Sequence, residues 1–147
     1  MVNLFEPDPV AVDTEDLDLV FEHPLTEALD APLVRHRIRE ILAGCWLEPR
    51  LDAIALASTE LIANALRHGS QPARFRLLTG ADRAVVAVYD ASDRQPRFDP
   101  SLPLTTTRSS GRGLFLVRAE SDHCGAYASD GLGKWVYAEW LRDPTGR

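Results

Sequence analysis

The sequence predicts an α+β domain of two layers, a mostly antiparallel sheet with helices on one face. Two observations carry this. Short alternating or apolar runs at residues 17–22, 75–79, 84–89, 123–128 and 135–140 read as strands, and the joins at 80–83 and 129–133 are short enough to make two hairpins. Two consecutive amphipathic patterns separate the first strand from the first hairpin, and a third, shorter one precedes the second hairpin.

Residues 1–16 are acidic, carry Pro7 and Pro9, and follow neither a helical nor a strand period, so they read as a flexible tail. Leu17 to Glu22 alternates as a first strand, with Pro24 expected to stop it. From Asp30, Pro32 falls in the first turn of a helix whose apolar face is Val34, Ile38, Ile41, Leu42 and Cys45, ending around Gly44 to Trp46. Pro49 opens the second helix after a short join, which makes the two helices packed neighbours.

The second helix runs from near Leu51 to His68. Its core stripe is Leu51, Ile54, Ala55, Ser58, Leu61, Ile62, Ala65 and Leu66. Glu60, Asn64, Arg67 and His68 fall on the opposite side of the helix, in one row at spacings of three, four and seven or eight, and Ala53 and Ala57 continue it with small side chains that leave space. Such a row is also what a solvated helix face looks like. Asn64 argues for more, because an amide inside a helix competes for backbone hydrogen bonds. A carboxylate and a carboxamide one turn apart can polarise a hydroxyl or water and offer oxygen to a hard cation. Arg67, His68 and Gly69 suit a helix end, with cations at the negative pole and glycine for a left-handed cap.

The strand at 84–89 ends at Asp90, and residues 91–111 then turn to Pro96, Pro100, Pro103, Thr105 to Thr107, Ser109 and Ser110, with almost no apolar period. A connection of that length in a compact domain marks a lid or a disordered segment. Gly111-Arg112-Gly113 then leads into a short helix through Leu114, Phe115, Leu116 and Val117, whose start offers free N–H groups to an anion. The hairpin of 123–128 and 135–140 closes a domain of residues 17–141, leaving a C-terminal tail of 142–147.

Composition narrows the function. A chain of 147 residues that is 45% hydrophobic suits one compact domain. Its net charge of -6, without a basic cluster interleaved with aromatics, argues against nucleic acid as partner. No apolar run reaches the roughly 18 residues of a membrane span, and the acidic N-terminus is unlike a signal peptide, so a cytoplasmic protein is expected. Cys45 and Cys124 have no metal-ligand spacing and are expected to be small buried hydrophobes.

Held together, Glu60-x-x-x-Asn64-Ala65-x-x-His68-Gly69, Asp90 at a strand tip, and Ser110-Gly111-Arg112-Gly113-Leu114 after the long connection resemble the GHKL ATP-binding family. That family has the Bergerat fold, a two-layer sandwich with an ATP lid. Within it the chain looks like the small single-domain anti-sigma factor serine kinases of bacteria. The resemblance spans residues 17–141 and implies ATP and Mg²⁺ as cofactors. It implies Asn64 as the Mg²⁺ ligand, Glu60 as the general base, Asp90 as acceptor for the adenine amino group, and Gly111, Arg112 and Gly113 as the phosphate loop. His68 and Ser110 travel with these motifs as nucleotide-binding positions, and residues 94–110 become the lid. It further implies partner switching between a sigma factor and an antagonist, or anti-anti-sigma, protein whose serine or threonine is phosphorylated. A homodimer is plausible by the same resemblance. The alternative is a degenerate module that holds a regulatory partner without kinase activity.

The chain departs from the family in two places. After Asp90 the usual Asp-x-Gly-x-Gly is replaced by Ala91, Ser92, Asp93, Arg94 and Gln95, so a turn needing positive φ would be strained. Where the family often carries Gly-Thr or Gly-Lys-Thr, this chain has Gly133-Lys134-Trp135, without the hydroxyl that helps hold the base. Both changes lie on the adenine side.

Overall fold

The structure, a computed structural model, describes residues 14–94, 109–129 and 131–143, with the backbone alone at 109–113. It is the α+β architecture expected. The elements run β1 (Asp18–Leu25), α1 (Asp30–Leu42), a 3-10 turn (Glu48–Arg50), α2 (Leu51–His68), β2 (Ala73–Thr79), β3 (Arg83–Asp90), α3 (Ser109–Glu120), β4 (His123–Ala128) and β5 (Lys134–Leu141). Every strand pairing is antiparallel, in the order β1-β2-β3-β5-β4. Residues 1–13 and 144–147 of the expected tails and nearly all of the expected lid, residues 95–108, lie outside the described residues.

The core forms between one sheet face and the three helices. Val34, Ile38 and Leu42 of α1, spaced by four, are each at most 2% exposed, as a single apolar stripe requires. They meet Ile54, Leu61 and Ile62 of α2 and the inward residues Phe75, Leu77, Val86, Val88, Val136 and Trp140 of the sheet. α2 lies between α1 and α3 and crosses β3. Trp140, fully buried, satisfies its indole by donating to the Glu120 carbonyl at 2.8 Å, the partner that a buried N–H demands.

The opposite sheet face has its own smaller cluster of Val85, Ala87 and Tyr137 with Leu17, Leu78, Tyr127 and Trp135. The Arg76 guanidinium stands 4.9 Å from the Trp135 ring, a cation–π contact. At its margin Arg83 is buried between Glu139, at 2.8 Å, and Asp16. Thus Asp16, in the last part of the expected tail, is tied to the sheet.

Several local expectations are corrected. Pro24 does not stop β1, which continues to Leu25 with Pro24 opposite Arg74; an edge strand needs no N–H on its open side. α1 ends at Leu42 with Ala43 extended, earlier than expected. Cys45 is therefore exposed, not buried, while Cys124 is partly buried. Ala57 leaves no gap above the Glu60 row, because it is fully buried in the core.

At the start of α1, the Asp30 carboxylate gathers the N–H groups of Thr26 at 2.8 Å and Glu27 at 3.0 Å, and the His23 ring at 3.0 Å. The Thr26 amide first, with the His23 and Glu27 bonds, pulls its pKa from 3.8 down to about 2 against the opposing effect of burial.

Candidate functional site

α2 presents Glu60 and Asn64 one turn apart, both half-buried, whereas Arg67 and His68 further along are exposed. The pair sits beside the core stripe and not on the outer face: Ala57 and Leu61, its neighbours around the helix, are both buried. Position at the rim of a packed helix restrains side-chain freedom while leaving an edge open to a ligand. α3 packs along α2, so the start of α3 belongs to the same side of the domain.

The glycine ending α2 has a role different from the one expected. Gly69 is extended, with φ -92° and ψ -170°, so it is not a left-handed cap. Its hydrogen atoms leave room for something else: a Cβ there would come 2.5 Å from both the Ala65 carbonyl oxygen and the Asp90 Cγ. The end of α2 thereby lies on the carboxylate of β3.

That carboxylate is 1% exposed, and both of its oxygens have partners. Its Oδ1 accepts from the backbone N–H of Ser92 at 2.9 Å, from Ser70 N–H at 3.4 Å, and from Lys134 Nζ at 2.9 Å. Its Oδ2 also lies 2.9 Å from Lys134 Nζ. Lys134 stands directly opposite Asp90 in the β3–β5 ladder and is 3% exposed. A buried carboxylate needs such compensation, and a buried ammonium needs it equally.

The two departures on this side acquire a physical outcome. The segment after Asp90 carries no positive φ outside glycine among the described residues. Hydrogen bonds hold it in glycine's stead: Ala91 N–H donates to the Ser70 carbonyl at 2.8 Å, and Arg94 N–H donates to Ser92 Oγ at 3.0 Å. The strain expected from the missing glycines is therefore not stored at residues 91–94. Trp135 turns its ring to the opposite sheet face, against Arg76 and Tyr89, so Lys134 and not residue 135 faces Asp90. Strand alternation gives this result once the register is known. The sequence signal for it was Lys134 itself, the sole lysine of the chain, sitting in the last motif.

α3 begins at Ser109, so Ser110, Gly111, Arg112 and Gly113 lie within its first turns instead of preceding it. The opening N–H groups of a helix of this length have no carbonyl one turn back, and the dipole is positive there. The side chains of these residues lie outside the described part.

The structure thus brings Glu60 and Asn64 to one helical rim and seats Asp90 beneath the end of that helix. An amide oxygen at Asn64 suits a hard cation that keeps phosphate and water ligands, and a helix start suits phosphate. These groups fit Mg-nucleotide on the phosphate side. Asp90, the expected acceptor for the base, is paired with Lys134.

A family model described as histidine kinase-like ATPase domain matches residues 24–140. No curated protein matches the chain.

Proposed function

Because the chain belongs to the histidine kinase-like ATPase family, we propose that it is an ATP-binding regulator that works by partner switching, binding a sigma factor and phosphorylating a serine or threonine of its antagonist protein. One observation carries the reading: Glu60 and Asn64 stand half-buried on one rim of α2, whose end rests on the buried Asp90. The family's domain is an ATP-binding one, and none of the described helices is long and apolar enough to cross a membrane.

Each residue has a role within this reading. Asn64 offers its amide oxygen to Mg²⁺, and its place inside a helix fixes the direction of that oxygen. Glu60, one turn earlier, accepts the proton of an incoming serine or threonine hydroxyl. Asp90 accepts the amino group of the base through a buried hydrogen bond. The opening turn of α3 from Ser109, with Ser110, Gly111, Arg112 and Gly113, supplies backbone donors to phosphate oxygens. His68, exposed at the end of α2, lies at the margin. Bound Mg-ATP supplies the phosphoryl group that is transferred.

The second reading, a partner-binding module without kinase activity, is favoured by the Asp90–Lys134 pair, which occupies the base acceptor. Isothermal titration with ATP and Mg²⁺ decides whether the site binds nucleotide. Micromolar binding that needs Mg²⁺ and disappears in Asn64→Ala supports the site assignment. Absence of binding in the wild-type protein removes the kinase reading and leaves the partner-binding module. Phosphate transfer from labelled ATP to a candidate antagonist then tests the enzyme itself.

A further inference from the structure

We infer that Lys134 is an affinity-determining residue of the base pocket: its ammonium is an internal occupant of the adenine acceptor, and adenine nucleotides bind by displacing it from Asp90. The inference rests on the nucleotide reading above.

The hydrogen-bond inventory supports it. Asp90 Oδ1 has three donors, Ser70 N–H, Ser92 N–H and Lys134 Nζ, which exceeds the two lone pairs of one carboxylate oxygen. Oδ2, the oxygen with the remaining acceptor capacity, is 2.9 Å from the same ammonium. The third direction of the ammonium goes to the Ser92 carbonyl at 3.4 Å. All donors of the lysine thus have partners inside the site, and its charge cancels that of the carboxylate.

Two glycines keep the pair enclosed. Gly69 covers the carboxylate, and at Gly133 a Cβ would meet the Asp90 carbonyl oxygen at 2.3 Å. The backbone of β5 is therefore held close against β3 where Lys134 points inward. A neutral amino group arriving at Asp90 meets a carboxylate already neutralised by a formal charge. Its hydrogen bond is weaker than one to an unpaired carboxylate, and opening the pair first costs the buried Coulomb attraction. A hydroxyl at position 134 would donate one hydrogen bond without neutralising Asp90.

The sole lysine of the chain makes the test direct. Protein labelled with ¹³C at lysine Cε gives one lysine signal, that of Lys134, in the wild-type fold. Addition of Mg-ATP is expected to shift that signal, whereas Mg-tripolyphosphate, which has no base, is expected to bind and leave it unmoved. By calorimetry, Lys134→Thr is expected to bind ATP about tenfold more tightly than wild type. Calorimetric binding of ATP with the lysine signal unmoved overturns the inference, as does a folded Lys134→Thr protein with unchanged or weaker affinity. If Lys134→Thr does not fold, the wild-type signal decides alone. If neither ATP nor tripolyphosphate binds wild type or variant, the nucleotide reading itself fails and this inference falls with it.

Discussion

Gly69 lies so close to Asp90 that a single added methyl would come 2.5 Å from the carboxylate carbon and 2.5 Å from the Ala65 carbonyl oxygen. One atom's absence at the end of α2 thus sets the distance between the helix and the tip of β3. The obstructing groups are a buried carboxylate held by four contacts and a helix backbone, neither of which yields easily.

Gly69→Ala is accordingly expected to destabilise the domain by about 1–3 kcal/mol, the range for overpacking a well-filled site. Urea denaturation with an unchanged slope and a lower midpoint would show it. A stability equal to wild type would mean that α2 ends further from Asp90 than described.

For the reaction, Glu60→Gln preserves shape and hydrogen bonding but removes the base. Phosphoryl transfer should fall by about 10²–10⁴-fold, while ATP affinity by calorimetry stays within about twofold of wild type. Loss of binding instead would assign Glu60 to holding the nucleotide.

Acid stability should carry the mark of Asp30. Its folded pKa is lowered from 3.8 to about 2, so the stability it contributes is complete above about pH 4 and lost as pH falls through about 2. In a pH series of denaturation, Asp30→Asn should be less stable than wild type at neutral pH and should lack this part of the acid loss. Equal acid slopes for the two proteins would show that Asp30 titrates normally.

Arg83 is expected to be costly to remove. Its partner Glu139 is 2% exposed in its side chain, and Arg83→Met would leave that carboxylate buried without the cation. A loss of about 3–5 kcal/mol follows, with recovery of part of it in the Arg83→Met, Glu139→Gln double variant. Simple additivity of the two changes would contradict the pairing.

The cysteines should separate in alkylation kinetics. Cys45 is exposed, and burial pushes the Cys124 thiol above its usual pKa, so iodoacetamide should modify Cys45 first and Cys124 only slowly. Mass spectrometry of timed samples reads the order directly.

Periodicity made much of this legible. The α2 stripe and the alternation of β2, β3 and β5 give the layers before any coordinate, because burial of one face imposes a repeat on the chain. Strand boundaries were less legible: Pro24 looked like a stop because its tolerance depends on β1 being an edge, a fact of sheet order and not of local sequence. Gly69 was readable as important but not for the right reason. A left-handed cap and a close approach both call for glycine, and only the neighbour across space, Asp90, distinguishes them. Likewise the sequence located a departure at 133–135 but could not tell which residue faced the site, since one step of register exchanges Lys134 for Trp135.

The burial of Lys134 also bears on how a cell can mark this protein. With its sole side-chain amine 3% exposed between two strands, the folded domain gives an acetyltransferase no lysine to work on. Acylation at that residue would have to wait until the ammonium has left Asp90, so a modified Lys134 would record that the pair had opened, and by abolishing its charge would hinder the pair from forming again.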